Sequence, residues 1–169
     1  MKRVHLLRHA KSSWDDPALA DRDRPLAPRG VRDAEAMSDH LRAAGVVPEL
    51  VLCSSALRTV QTLERISAAL PPQARVHVEP GLYGAGSREL LSRLRELPDE
   101  VSSVMLIGHN PGIHDLAVGL AAPNAVAQLG WKFPTAALAV LVAPVTRWAR
   151  LSKHGAQLES FVTPSQLRG

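Results

Sequence analysis

The order of periodicities along the chain predicts an α/β protein with three layers, helices covering both faces of a mostly parallel central sheet. Short apolar strand-like runs alternate with amphipathic helical ones, as in stacked βαβ units. Proline ahead of a helical run and glycine behind it mark the boundaries. Three of the strand-like runs also stop at a cationic or imidazole side chain: Leu6-Leu7-Arg8-His9, Val51-Leu52-Cys53-Ser54-Ser55-Ala56-Leu57-Arg58 and Leu106-Ile107-Gly108-His109. Strand carboxyl ends form the ligand-binding rim of an open α/β sheet, and right-handed crossovers put all parallel ends on one rim.

Lys2 to Leu7 reads as a short buried strand, and Ser13 to Pro28 as a polar, proline-bearing loop. A loop that long inside a compact domain is usually functional or disordered. A helix follows, with Pro28 in its first turn, Gly45 just past its end, and Val31, Ala34, Met37 or Ser38, Leu41 and Ala44 at helical spacing. Glu49 to Cys53 is the second strand. Ser54 or Ser55 is a candidate cap for a helix carrying Leu57, Val60, Leu63, Ile66 and Leu70, which Pro71-Pro72 stops. Arg75 to Val78 alternates as a strand, and Ser87 is placed to cap a helix through Arg95. Val101 to Ile107 is the third main strand. Asn110-Pro111 offers a cap and an N1 proline to a helix over Ile113 to Ala122. Thr135 to Val142 suits a strand, and Leu158 to Thr163 an edge strand.

The 169 residues suit a single domain, residues 1–169. The longest mostly apolar stretch, Ala136 to Val145, is too short to cross a bilayer. No apolar segment or small-residue cleavage site follows the basic N-terminus, so it reads as a strand and the expected location is cytoplasmic. With Cys53 as the lone cysteine, neither an internal disulfide nor a thiolate cluster can form; Cys53 reads as a small buried hydrophobe. The net charge is +4, but basic residues are interspersed with acidic ones, without a lysine run or interleaved aromatics. Neither a nucleic-acid nor a membrane partner is expected.

Two arginines and two histidines on one rim make a pocket for a phosphoryl group. A phosphoryl group in transit carries negative charge on its equatorial oxygens, and catalysis is mostly positioning and electrostatics. The planar forks of Arg8 and Arg58 match two oxygens each, and helix N-termini after Ser55 and Asn110 would add N–H groups. An attacking imidazole must be neutral. Neighbouring arginines are expected to depress the His9 pKa, while a carbonyl fixes its tautomer. His109 would donate to a phosphoryl oxygen as charge builds. Neither a metal nor another cofactor is required, because these side chains already supply the positive field. The Arg-His pair alone says little, since about 0.7 are expected by chance from this composition. Its context carries the weight.

Taken together, Leu7-Arg8-His9-Ala10-Lys11-Ser12, Ser54-Ser55-Ala56-Leu57-Arg58 with Gln61-Thr62, and Gly108-His109-Asn110-Pro111-Gly112 resemble the successive motifs of the histidine phosphatase superfamily, whose fold is phosphoglycerate mutase-like. LRHAKSSW with Asp23-Arg24-Pro25-Leu26 and Arg29-Gly30 is similar to the SixA group of bacterial protein-histidine phosphatases. The likeness runs from about residue 3 to about residue 142. It implies His9 as the phosphorylated nucleophile, Arg8, Arg58 and His109 around the phosphate, and Ser12, Arg24 and Asn110 as further substrate contacts. The implied partner is a phosphorylated protein, such as a phosphotransfer domain, or a small phosphorylated molecule.

The sequence departs from the superfamily where many members carry a glutamate shortly before Tyr-Gly. Here Gly81 stands in that slot of Glu79-Pro80-Gly81-Leu82-Tyr83-Gly84. An alkoxide leaving group needs a proton, whereas the imidazole of phosphohistidine, with a conjugate-acid pKa of about 6.5, does not. The gap favours a phosphoramidate. A small-molecule phosphomonoesterase would need Glu79 or Glu89 as its acid, and a phosphate-dependent binding module would need no nucleophile. Substrate choice falls to loops 13–28 and 123–134. His5, His40, His77, His114 and His154 read as structural or solvent-facing, and Trp131-Lys132-Phe133 as a loop anchor or pocket wall.

Overall fold

Alternate residues of the first strand face opposite layers of apolar packing. Val4 and Leu6 lie in one buried cluster, and Leu7 lies in the other. A strand buried on both faces belongs inside a sheet covered by helices. The computed structural model describes residues 1–168 and places this strand, β1 (Lys2–Arg8), near the middle of a six-stranded sheet. The others are β2 (Leu50–Ser54), β3 (Arg75–Glu79), β4 (Ser103–Gly108), β5 (Leu138–Ala143) and β6 (Gln157–Val162), in the order β3-β2-β4-β1-β5-β6. The first four are parallel; β5 runs antiparallel to β1, and β6 antiparallel to β5. The sheet is thus mixed and mostly parallel, as the sequence predicts.

Helices α1 (Pro28–Ala43) and α2 (Leu57–Ile66) cover one face, burying Met37, Leu41, Leu63 and Ile66 against Val51, Cys53, Met105 and Ile107. On the other face, α3 (Ser87–Arg95) and α4 (Gly112–Leu120) pack Leu90, Leu94, Ile113 and Leu116 against Leu52, Leu106 and Trp148. Truncating a fully buried Leu106 to alanine in such a core costs about 2–5 kcal/mol. A short α5 (Val126–Leu129) lies in the 123–134 loop, and α6 (Pro164–Arg168) returns to α1, where Arg168 pairs with the buried Asp33. Among the described residues, no helix is long and apolar enough to cross a membrane.

Three expectations about helix ends are corrected. The cap position of α2 is Ala56, while Ser54 Oγ accepts the Ala56 N–H and also meets His109. Ser87 is the first residue of α3 rather than its cap, which is Gly86. The Asn110–Pro111 bond is cis and α4 begins at Gly112; Asn110 uses its amide on the Phe133 carbonyl instead of capping. For Ser54 and Asn110 a tertiary contact outcompetes the local cap. Two glycines mark close approaches: a Cβ at Gly30 would lie 2.0 Å from the Lys11 carbonyl oxygen, and one at Gly112 2.3 Å from that of Ala85.

Candidate active site

Because β2, β4 and β1 are neighbours, the three strand ends singled out in the sequence emerge side by side. The parallel register pairs Arg8 with Gly108, and the His9 N–H donates to the Gly108 carbonyl at 3.0 Å. His9 and His109 therefore leave adjacent strands at one level, with ring centroids 5.2 Å apart. Arg58, one residue into α2, closes the third side. A cavity of about 230 Å³ is lined by Arg8, His9, Arg58 and His109, together with Ser12, Arg24 and Asn110; Lys11, Trp14 and Thr135 complete it. All seven residues singled out in the sequence thus meet at one place. A larger groove of about 1300 Å³, near the opposite strand ends, is lined by His5, His40 and Val140 among others and contains none of these seven.

His9 is buried, and its Nδ1 donates to its neighbour's carbonyl, Ala10 O, at 2.7 Å. That bond fixes the proton on Nδ1 and leaves Nε2 with its lone pair. The His9 pKa falls to about 3, chiefly because burial penalises the charged ring; His109, Arg8 and Arg58 add smaller repulsions, and the Ala10 bond opposes them. The arginines lower the His9 pKa as expected, but desolvation is the larger cause. His109 falls to about 4, again first by burial and next by Arg58. Its Nε2 lies 2.8 Å from Ser54 Oγ. That oxygen also accepts the Ala56 N–H; when the Ser54 hydroxyl donates to Nε2, the His109 proton sits on Nδ1.

Unpartnered buried polar atoms show what chemistry the cavity suits. Among the described residues, four buried side-chain atoms lack any partner: Arg8 Nε, Arg58 Nε, His109 Nδ1 and one acceptor, Asn110 Oδ1. Buried donors without partners are costly, and three bordering one small cavity suit an oxyanion. Arg8 is steadied by donating to Phe133 O at 3.0 Å, and Asn110 donates to that same carbonyl at 2.9 Å. Thr62 Oγ1 accepts the Ala10 N–H, and Gln61 Oε1 accepts the Leu26 N–H, so α2 fixes both the turn after His9 and the end of the loop beyond it.

Sequence reasoning missed Asp21 and Tyr83. Asp21 sits in a 3-10 turn over Asp21–Asp23 and receives Arg58 on both its carbonyl (2.7 Å) and its carboxylate (3.0 Å). Tyr83 donates to the same carboxylate at 2.5 Å and stands edge-on to His109. Led by the Tyr83 bond, these partners hold the Asp21 pKa at about 2. An Asp in an acidic, polar loop carried no local signal; it reaches the site because the loop closes on itself, with Ser12 paired to Leu26 and the Ser13 N–H on Pro25 O. Glu79 is taken out of contention as an acid, because Arg93 grips it through two 2.8 Å bonds that hold its pKa down. Glu89 lies beside Gly86 at the start of α3 and does not line the cavity. Cys53 is buried, its thiol pushed up to about 12 by desolvation.

An αβα sheet with paired imidazoles and guanidiniums around an oxyanion pocket at its strand ends defines a phosphoryl-handling enzyme. The chain belongs to the histidine phosphatase superfamily (branch 1), whose sequence profile matches residues 4–96, and is a phosphatase of that superfamily. It is 37% identical over 163 residues to an uncharacterised Mycobacterium tuberculosis protein, covering 94% of this chain and 99% of the relative. It is 35% identical over 111 residues to the Escherichia coli phosphohistidine phosphatase SixA, covering 64% of this chain and 68% of that protein. A solved structure of the protein histidine phosphatase SixA complexed with tungstate superposes with a TM-score of 0.80 at 27% identity, covering 98% of this chain and 99% of the other.

Proposed function

We propose that the protein is a metal-independent phosphohistidine phosphatase that acts on a phosphorylated protein through a phosphohistidine intermediate at His9. The observation that carries this reading is a neutral, oriented nucleophile facing orphaned cationic donors, with no proton-donating carboxyl on the cavity wall. The likeness to SixA phosphatases, one of them a complex with tungstate, supports both the anion and the leaving group.

In the first step the His9 Nε2 lone pair forms an N–P bond as the substrate's N–P bond breaks. The electron pair of the broken bond returns to the departing ring nitrogen, and with the distal nitrogen protonated the product is neutral imidazole. The free N–H edges of Arg8 and Arg58 and the His109 Nδ1–H face the equatorial oxygens, where charge gathers. Phosphorylated His9 keeps its Nδ1 proton on Ala10 O, so the ring stays cationic and is itself a good leaving group. Water then attacks phosphorus, the His9–P bond's electron pair returns to Nε2, and the water proton leaves with phosphate.

An alkyl phosphate would require a proton for its alkoxide. Asp21 is held ionised, and Glu79 is committed to Arg93, so neither supplies one. The test compares a phosphohistidine protein, an aryl phosphate and a sugar phosphate with wild type and His9→Ala. Expected are turnover of the first two, little of the third, radiolabel trapped on His9, and loss of all activity in His9→Ala. Retained activity in that variant would end the covalent mechanism, and equal rates on the sugar phosphate would end the substrate assignment.

A further inference from the structure

The phosphate pocket is small, and the leaving group has to rest on whatever stands at its mouth. One wall of that mouth is Trp14, which lines the cavity yet is 68% exposed. Its ring is held in place from below. The Arg24 guanidinium lies 3.4 Å from the ring centroid and is itself only 6% exposed. The edge of that guanidinium is fixed as well, donating to Ser13 O at 3.2 Å and to Asp21 Oδ1 at 3.3 Å. On both sides of Trp14 the backbone is pinned, by the Ser13 N–H to Pro25 O and the Asp15 N–H to Ser13 Oγ. A scattered exposed apolar side chain needs no explanation. An indole propped on one face by a buried arginine, with its surface open at the mouth of a nucleophile's pocket, is a preformed aromatic platform.

We propose that Trp14 is the leaving-group subsite, its exposed ring surface stacking on the planar ring attached to the phosphoryl group and so selecting ring-bearing substrates over aliphatic ones. In the phosphohistidine reading, on which its physiological meaning rests, that ring is the substrate's imidazole. Offset stacking of two such rings favours binding without touching phosphorus. Trp14 therefore acts on KM, leaving the chemical step to the groups below it. Arg24 is a positioning residue that sets the angle of the platform.

The experiment measures kcat and KM for Trp14→Ala and Trp14→Phe on a phosphohistidine peptide, phenyl phosphate and phosphoramidate, and the inhibition constant of ethyl phosphate as a competitive, ring-free ligand. Tungstate inhibition reports on the phosphate pocket itself. The expected result is a KM about 3- to 10-fold higher in Trp14→Ala for the two ring-bearing substrates, matching typical aromatic pair strengths. KM for phosphoramidate, the ethyl phosphate inhibition constant, kcat, and the tungstate inhibition constant stay within about twofold, a change too small to count as lost stacking. Trp14→Phe recovers most of the loss. Equal changes for all four compounds, or altered tungstate inhibition, would make Trp14 a structural support and overturn the proposal; so would an unchanged KM for phenyl phosphate. If wild type fails on phosphohistidine while the phenyl-to-ethyl contrast persists in the variants, the platform stands and the phosphohistidine assignment falls.

Discussion

The floor and the lip of the pocket are built by different means. On the floor, Arg8, His9, Arg58 and His109 hang from the ends of neighbouring parallel strands or from the helix after one, and their relative positions follow from sheet register. At the lip, Asp21, Trp14 and Tyr83 sit on connecting segments and are held by side-chain cross-links: Asp21 to Arg58, Tyr83 to Asp21, Trp14 to Arg24. Buried backbone ladders tie many residues into one unit, whereas each lip cross-link rests on a single side-chain pair that one substitution removes. The chemistry is thus fixed where the scaffold is stiff, and selectivity is left to parts that substitution can retune.

The largest expected effect falls on the floor. His9→Gln removes the attacking nitrogen while keeping a polar side chain, and should lower kcat by at least about 10³-fold with phosphate affinity retained. Single-turnover kinetics with tungstate competition would check both halves, and a smaller loss would mean that water attacks without a phosphoenzyme. Next is the joint between floor and lip. Gly30→Ala places a methyl against the Lys11 carbonyl, where α1 abuts the turn after the nucleophile. The expected cost is about 2–3 kcal/mol, measured by urea unfolding, because backbone cannot yield as a side-chain tip can.

Titration separates the two regions by pH window. His9 and His109 have folded pKa values near 3 and 4, below the unfolded value of about 6.5, so the unfolded state binds more protons between those limits. Stability is therefore unaffected by these groups above about pH 6.5 and falls with acidification below it, by up to about 1.4 kcal/mol per pH unit for each histidine. Tungstate, whose charge favours the protonated rings, should flatten that decline in unfolding curves taken from pH 7 to pH 4. At the lip, Asp21 acts with the same sign in a lower window: its contribution is present above about pH 4 and is lost only as pH falls toward 2.

Asp21→Asn removes a negative charge that occupies Arg58 and should tighten tungstate inhibition by about fivefold, roughly the 1 kcal/mol expected for charges at a partly solvated site. Weaker inhibition would instead make Asp21 a strut that aims the guanidinium. The smallest effect is expected for Glu79→Gln: a stability change of about 1 kcal/mol or less, and turnover of phosphohistidine unchanged, since Arg93 is its partner. A fall in turnover would restore Glu79 as a proton donor.

Much of the floor is legible in the linear chain. Arg8, His9, Arg58 and His109 each follow a short apolar run, and a strand end before a turn is a local pattern. Ser12, Arg24 and Asn110 come from the motif likeness, and all three line the cavity. Illegible were the depth of burial that sets the histidine pKa values, the use of Asn110 on Phe133 instead of on a helix end, and Asp21, whose loop shows no periodicity. Trp131-Lys132-Phe133 divides between outcomes: Phe133 is buried beside Phe161 and anchors Arg8 through its carbonyl, while Trp131 is 93% exposed.

The sequence by itself determined the strand and helix succession, the strand-end residues and the absence of glutamate at Gly81, because these rest on local periodicity and on residue identity. Only the tertiary structure decided that β4 inserts between β2 and β1, bringing the two imidazoles to one level, and that the loop after His9 folds back to put Asp21 on Arg58. Strand order and loop closure depend on contacts between residues far apart in the chain, and no neighbouring side chain encodes them.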